Sequence, residues 1–224
     1  MKIFIEGGGD SEKLQSECQR AFTRFFEKAG LKERRLMPRV AACGGRGAAY
    51  DRFCTATRLG EAALLLVDAE APIATNPATG RPVGPWAHLR QRDQWACPAG
   101  ATPDQVHLMA VCMEAWFVAD RNAFLTYYST GNRRANPNAL PILPAPTNVE
   151  TLGKQQVFQW LAAASAPSGD LGYRKGSRSF DLLAALNPEE VAKASYHAQR
   201  LFCRLGVTWW AWLDCPDLAA LENN

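Results

Sequence analysis

Short apolar runs and longer helical stripes alternate along the first third of the chain. Lys2-Ile3-Phe4-Ile5 reads as a short strand, followed by Glu6-Gly7-Gly8-Gly9-Asp10. Leu14, Cys18, Ala21, Phe22, Phe25 and Ala29 then recur at offsets of 4, 3, 1, 3 and 4, which trace one face of an amphipathic helix. Asp10 or Ser11 suits its N-cap, and Gly30 suits its terminator. Leu36 to Cys43 predicts a second strand, with Pro38 suggesting an edge or a strand start. Gly44-Gly45-Arg46-Gly47 turns into a helix from about Ala48 to Leu59, where Tyr50, Phe53 and Cys54 share a face. The six apolar residues Ala62 to Val67 predict a strand buried on both faces. This order of strand and helix predicts an α/β fold: an open, mostly parallel sheet flanked by helices, with a helical C-terminal extension. Ligands of such sheets bind in the crevice at the carboxyl ends of the strands.

Residues 71–103 are rich in Pro, Gly and Arg, with at most one short helix, about Pro85 to Trp95. An insert of that length predicts a flap beside the sheet edge. Gln105 to Val111 alternates as a strand, although one long helix from Pro103 is the competing reading. A helix from about Cys112 to Tyr128 follows, with Glu114 in its first turn and Asp120 in a structural position farther on. Residues 129–148 hold four prolines and form a surface excursion. It divides the chain softly into an α/β core, 1–128, and a mainly helical part, 129–224. A helix from Asn148 or Thr151, a basic loop from Gly172 to Ser179, and helices at 180–186 and 188–205 complete the pattern. The stretch 209–213 is aromatic, and is expected to pack back on the core or to form a partner surface.

Composition narrows the class. The length of 224 residues supports one substantial domain, and 47% hydrophobic with 21% charged residues excludes wholesale disorder. Net charge is only +3, so it says little about partners. Of 25 basic residues 18 are arginine, which suits phosphate contacts or reflects a GC-rich genome. The 7 cysteines form no Cys-x-x-Cys pair, which predicts free thiols rather than a zinc knuckle or disulfide framework. Met1 leads straight into a strand, and no apolar run approaches a membrane span, so a cytoplasmic protein without a membrane segment is expected.

Chemistry concentrates at one edge. Asp68 and Glu70 lie two apart just past the buried strand, and in an extended segment they point the same way. Like charges there repel unless a cation sits between them, and hard oxygen ligands suit Mg²⁺ or Mn²⁺. Parallel strands would bring Glu6 to the same edge. Solvated loop acids are the competing reading for all three. Carboxylates holding such ions polarise a phosphodiester and activate water. Lys175 in the Arg174/Lys175/Arg178 loop is the best basic side chain to steady charge on phosphorus, against a solvated basic surface as the alternative. Glu114 is a secondary candidate whose competing role is to satisfy a helix dipole. Asp10, Arg46 and His107 complete the secondary set, and Arg174 and Arg178 are candidate nucleic-acid contacts. No Walker A loop, dinucleotide fingerprint, zinc spacing or Gly-x-Ser-x-Gly elbow occurs.

With these residues in view, Ile5-Glu6-Gly7 after the first strand and Val67-Asp68-Ala69-Glu70 after a later one resemble the Toprim fold of topoisomerases, primases and OLD-type nucleases. More closely, Phe4 to Asp10, Ala42 to Arg46, Leu65 to Glu70, Asp104 to Met109, Met113 to Asp120 and Tyr173 to Gly176 resemble a Toprim-related bacterial family of unknown function, numbered four-two-seven-six, up to about Leu205. The resemblance implies a Mg²⁺- or Mn²⁺-dependent centre that hydrolyses DNA or RNA. Glu6 would match the general acid/base glutamate, Asp68 and Glu70 the metal-binding pair, and Lys175 the downstream lysine of OLD-type nucleases. The pair is Asp-x-Glu where most Toprim domains carry Asp-x-Asp. The family context implies a separate ABC- or AAA-type ATPase subunit and a role in anti-phage defence; a homodimer is a further candidate assembly that the family context does not supply. A non-catalytic scaffold that binds nucleic acid or a partner protein is the alternative.

Overall fold

The computed structural model describes residues 1–136, 138–145, 148–207 and 209. Its centre is a four-stranded sheet of β1 (Lys2–Ile5), β2 (Arg39–Ala42), β3 (Ala63–Asp68) and β4 (Val106–Met109). The strand order is β2-β1-β3-β4 and every pairing is parallel. Every residue of β3 is buried, as its unbroken apolar run requires of a strand covered on both faces. Alternation splits the strand side chains between two cores. Ile3, Ile5, Leu64 and Leu66 join one cluster, while Phe4, Leu65 and Val67 join the other.

Crossover helices cover both faces. α1 (Glu12–Lys28) opens with Ser11, whose hydroxyl accepts a hydrogen bond from the Leu14 N–H, and ends before Gly30 at φ +79°. It packs on the first core together with α4 (Ala115–Ala119), where Phe25 stacks on Trp116 with ring centroids 5.5 Å apart. α2 (Arg46–Arg58) and α3 (Pro85–Asp93) cover the other face through Phe53, Trp86 and Leu89. The insert is therefore seated on the core at Trp86, and Trp95 beyond it stacks on Tyr50 at 4.3 Å.

The expected helix from Cys112 to Tyr128 is broken. α4 stops at Ala119, and α5 (Arg121–Tyr128) restarts because the Asp120 carboxylate accepts from the Ala123 N–H at 3.1 Å. Asp120 also accepts from the Asn187 N–H at 2.7 Å, which confirms a structural role for it. The final helix is split the same way, into α9 (Pro188–Ala194) and α10 (Tyr196–Arg204), with Ser195 capping α10. Between them and α5 lie α6 (Ala139–Ile142), α7 (Lys154–Ser165) and α8 (Ser177–Ala185). The second strand is shorter than expected and starts past Pro38, at the sheet edge. Leu161, Leu182, Leu201 and Phe202 of the C-terminal helices share one apolar core with α1 and α4.

Trp209 packs on Phe202 with centroids 5.1 Å apart, and residues 210–213 of the aromatic stretch lie outside the described residues. Cys18, Cys43, Cys54, Cys97 and Cys112 are free thiols, as expected for these five. Among the described residues no helix is long and apolar enough to cross a membrane.

Candidate metal centre

The chain leaves β1 to build β2 on one side and returns to build β3 on the other, so the crevice between the carboxyl ends of β1 and β3 is the sheet's switch point. Glu6 follows β1 directly, and Asp68 ends β3. The Glu6 N–H donates to the Leu66 carbonyl at 3.0 Å, and the Asp68 N–H donates to Glu6 Oε2 at 3.0 Å. Glu70 stands two residues past Asp68 with φ +68°, in the left-handed region, and its N–H donates to the Val111 carbonyl at 2.7 Å. Glu6, Asp68 and Glu70 each place a carboxylate oxygen within 4.8 Å of the others. The three acids named from the sequence thus meet at one rim.

Glycines permit this approach. Gly7 and Gly44 form a reciprocal backbone bridge, 2.8 and 2.9 Å, that ties the loop after β1 to the turn after β2. A Cβ on Gly44, at φ +75°, would lie 2.4 Å from the Gly9 carbonyl oxygen.

Two basic side chains flank the acids. Arg46, at the start of α2, donates to the Asp68 carbonyl at 2.9 Å, pairs with Asp93 at 2.6 Å and lies 3.7 Å from Glu6 Oε2. Lys154, the first residue of α7, pairs with Glu70 Oε2. Burial pushes the Glu6 carboxyl up, and Arg46 only partly offsets this. Asp68 is buried, and its carboxyl is pushed well above the usual range by burial and by the charges of Glu6 and Glu114. Glu70 is held below its ordinary value because the Lys154 hydrogen bond and charge outweigh its burial.

A cavity of about 390 Å³ opens beside the acids, lined by Glu6, Gly8, Asp68, Glu114, Lys175 and Phe180 among others. Glu114 is fully buried there. The Tyr173 hydroxyl donates to Glu114 Oε1 at 3.1 Å, and Glu114 Oε2 has no hydrogen-bond partner among the described residues. Lys175 is held above its ordinary value, since Glu114 and Asp68 outweigh its partial burial. The oxygen-only donor set of Glu6, Asp68 and Glu70 fits a hard divalent cation.

The remaining candidates fall elsewhere. His107 lies inside β4 opposite Leu66, two residues short of Met109, which is level with Asp68. It is fully buried, and burial together with Arg200 pushes its imidazole well below the ordinary value, so it belongs to the core rather than the acidic edge. Asp10 is exposed and outside the cavity lining. Arg174 is exposed and pairs with Asp170, and Arg178 donates to the Gly172 carbonyl at 2.7 Å, fixing the loop that carries Lys175. Reading the sequence alone missed Lys154, Tyr173 and Asp93. A lysine at the first position of a helix opposes the helix dipole, and that was the available signal for Lys154.

Fold and site together define an α/β protein with an acidic cluster at the switch point of a parallel sheet. The chain belongs to the family described as Domain of unknown function (DUF4276), whose model matches residues 5–206. No curated protein and no solved structure matches it.

Proposed function

We propose that this chain is a Toprim-like, metal-dependent nuclease, an effector that hydrolyses phosphodiester bonds of DNA or RNA alongside a separate ATPase subunit in anti-phage defence. The observation that carries the reading is the convergence of Glu6, Asp68 and Glu70, 62 residues apart at its first step, to within 4.8 Å at the sheet's ligand-binding edge. Their order along the chain, a glutamate after the first strand and an acidic pair after a later one, matches the Toprim resemblance. Mg²⁺ or Mn²⁺ bound there would polarise the phosphodiester and lower the pKa of a coordinated water.

The chain's own groups have distinct work. Asp68 and Glu70 would hold the cation, and each carries a second carboxylate oxygen beyond its contacts with the Met113 N–H and with Lys154. Glu6, whose carboxyl burial holds above its ordinary value, is suited to take and return a proton at its carboxylate. Lys175 faces the same cavity and would steady negative charge on the transferring phosphoryl group. Arg46 fixes the Asp68 backbone and limits repulsion around Glu6.

A second reading, a scaffold that binds nucleic acid or a partner protein without catalysis, is favoured by one observation. Arg46 and Lys154 already neutralise much of the cluster. Labelled single- and double-stranded DNA, RNA and nucleotides incubated with Mg²⁺ or Mn²⁺ separate the two. Cleavage that needs metal and disappears in Glu6→Gln and Asp68→Asn supports the nuclease. Binding that ignores metal and survives Asp68→Asn supports the scaffold.

A further inference from the structure

We infer that Lys154 is a built-in cationic plug that competes with the divalent ion for Glu70, so that the metal affinity of the acidic cluster is set by the position of α7. This rests on the metal reading above and adds to it a means of regulation.

Three observations carry the inference. Lys154 Nζ lies in direct contact with Glu70 Oε2, and both side chains are about three-quarters buried, 27% and 21% exposed. An ion pair so shielded is screened less than a surface pair, so a metal ion must offset its loss to recruit that oxygen. Second, Lys154 comes from outside the sheet. It is 84 residues from Glu70 in sequence and opens a helix of the C-terminal part, where a positive charge at the first turn is disfavoured by the helix dipole. The contact with Glu70 supplies a compensating reason for a cation at that position.

Third, the segment that delivers Lys154 is anchored at a distance. The short 3₁₀ turn Val149–Thr151 precedes it, and buried Glu150 accepts from Ser195 Oγ at 2.8 Å and from the His197 N–H at 2.6 Å. Its second oxygen meets His197 Nδ1 at 3.0 Å. The junction between α9 and α10 therefore holds the strut whose far end sits on Glu70. A partner that shifts those helices would withdraw the lysine and open the cluster to Mg²⁺ or Mn²⁺.

Mn²⁺ binding read by loss of the free-ion electron paramagnetic resonance signal tests this on the full chain, without reference to activity. Five proteins are compared: wild type, Lys154→Met, Lys154→Arg, Lys175→Met and the double variant Lys154→Met with Asp68→Asn. The expected result is about tenfold tighter binding in Lys154→Met, equivalent to ~1.4 kcal/mol. Lys154→Arg should stay near wild type. Lys175→Met removes a positive charge from the cavity beside the acids without touching the Glu70 pair, and should tighten binding less than Lys154→Met. Adding Asp68→Asn to Lys154→Met should abolish the gain, which places the ion at the cluster. Equal affinity in wild type and Lys154→Met overturns the plug while leaving the metal site intact. An equal gain in Lys154→Met and Lys175→Met also overturns it, because the effect is then general charge. No Mn²⁺ binding in any variant removes the metal reading and the plug together.

Discussion

The Glu6 carboxylate accepts a hydrogen bond from the Asp68 backbone N–H at 3.0 Å, so the end of β1 holds the end of β3 through a side chain. The acid that follows the first strand thereby fixes the strand that carries the next one. That contact makes the cluster a property of the parallel sheet rather than of a loop.

Crowded acids should destabilise the protein that bears them. Burial and the neighbouring charges of Glu6 and Glu114 raise the Asp68 carboxyl, so its ionised form costs stability above the ordinary carboxylate range. Asp68→Asn keeps an acceptor for the Met113 N–H and removes one like charge. In chelator its unfolding free energy is expected to rise by about 1–2 kcal/mol by urea titration. Millimolar Mn²⁺ should stabilise the wild type and not the variant. A variant less stable than wild type in chelator would contradict the electrostatic account.

Lys175 and Asp68 should separate when measured. Lys175→Ala is expected to lower metal-dependent cleavage about 10²–10³-fold through lost stabilisation of the transferring phosphoryl group. Its Mn²⁺ affinity should not fall, since Lys175 is not a ligand. A parallel loss of Mn²⁺ binding would mean that the lysine organises the site instead.

Glycine at position 44 is a geometric requirement. The close approach of the Gly9 carbonyl and the positive φ leave no room for a Cβ, so Gly44→Ala should displace the loop that follows Glu6. Circular dichroism of the variant should stay close to wild type, while Mn²⁺ affinity drops. Unchanged affinity would show that the loop adapts.

Burial pushes the Glu150 carboxyl up, but the facing His197 and the hydrogen bonds from His197 and Ser195 outweigh it and hold it below its ordinary value. The stability from this clamp is full above that ordinary value and is lost as the pH falls through the lowered one. Glu150→Gln should cost about 2–4 kcal/mol at neutral pH, read from urea midpoints. The gap between the two proteins should narrow on acidification, and a constant gap would contradict the assignment.

Local signals made much of the fold legible. Ser11 and Gly30 bracket α1 in the sequence as they do in space, and the unbroken apolar run of β3 announced a strand with two covered faces. The two long helices expected at 112–128 and 188–205 failed for one physical reason. Asp120 and Ser195 lie within continuous apolar stripes, yet each turns its side chain to cap a new helix. Periodicity reports which face is buried and is blind to such a break. The acidic edge was legible because strand order in a parallel sheet fixes where strand ends gather. Lys154 was not, because its partner is 84 residues away and no local rule links them. The sequence names His107 only as a secondary candidate, because it does not give the register of β4, which sets the residue inside the strand opposite Leu66.

A crystal soaked in Mn²⁺ and measured at the manganese absorption edge tests the central claim most directly. An anomalous peak among the carboxylates of Glu6, Asp68 and Glu70, absent from the same crystals of Asp68→Asn, is the predicted result. Clean maps at that position in the wild type, with Lys154 still seated on Glu70 at saturating Mn²⁺, would contradict it.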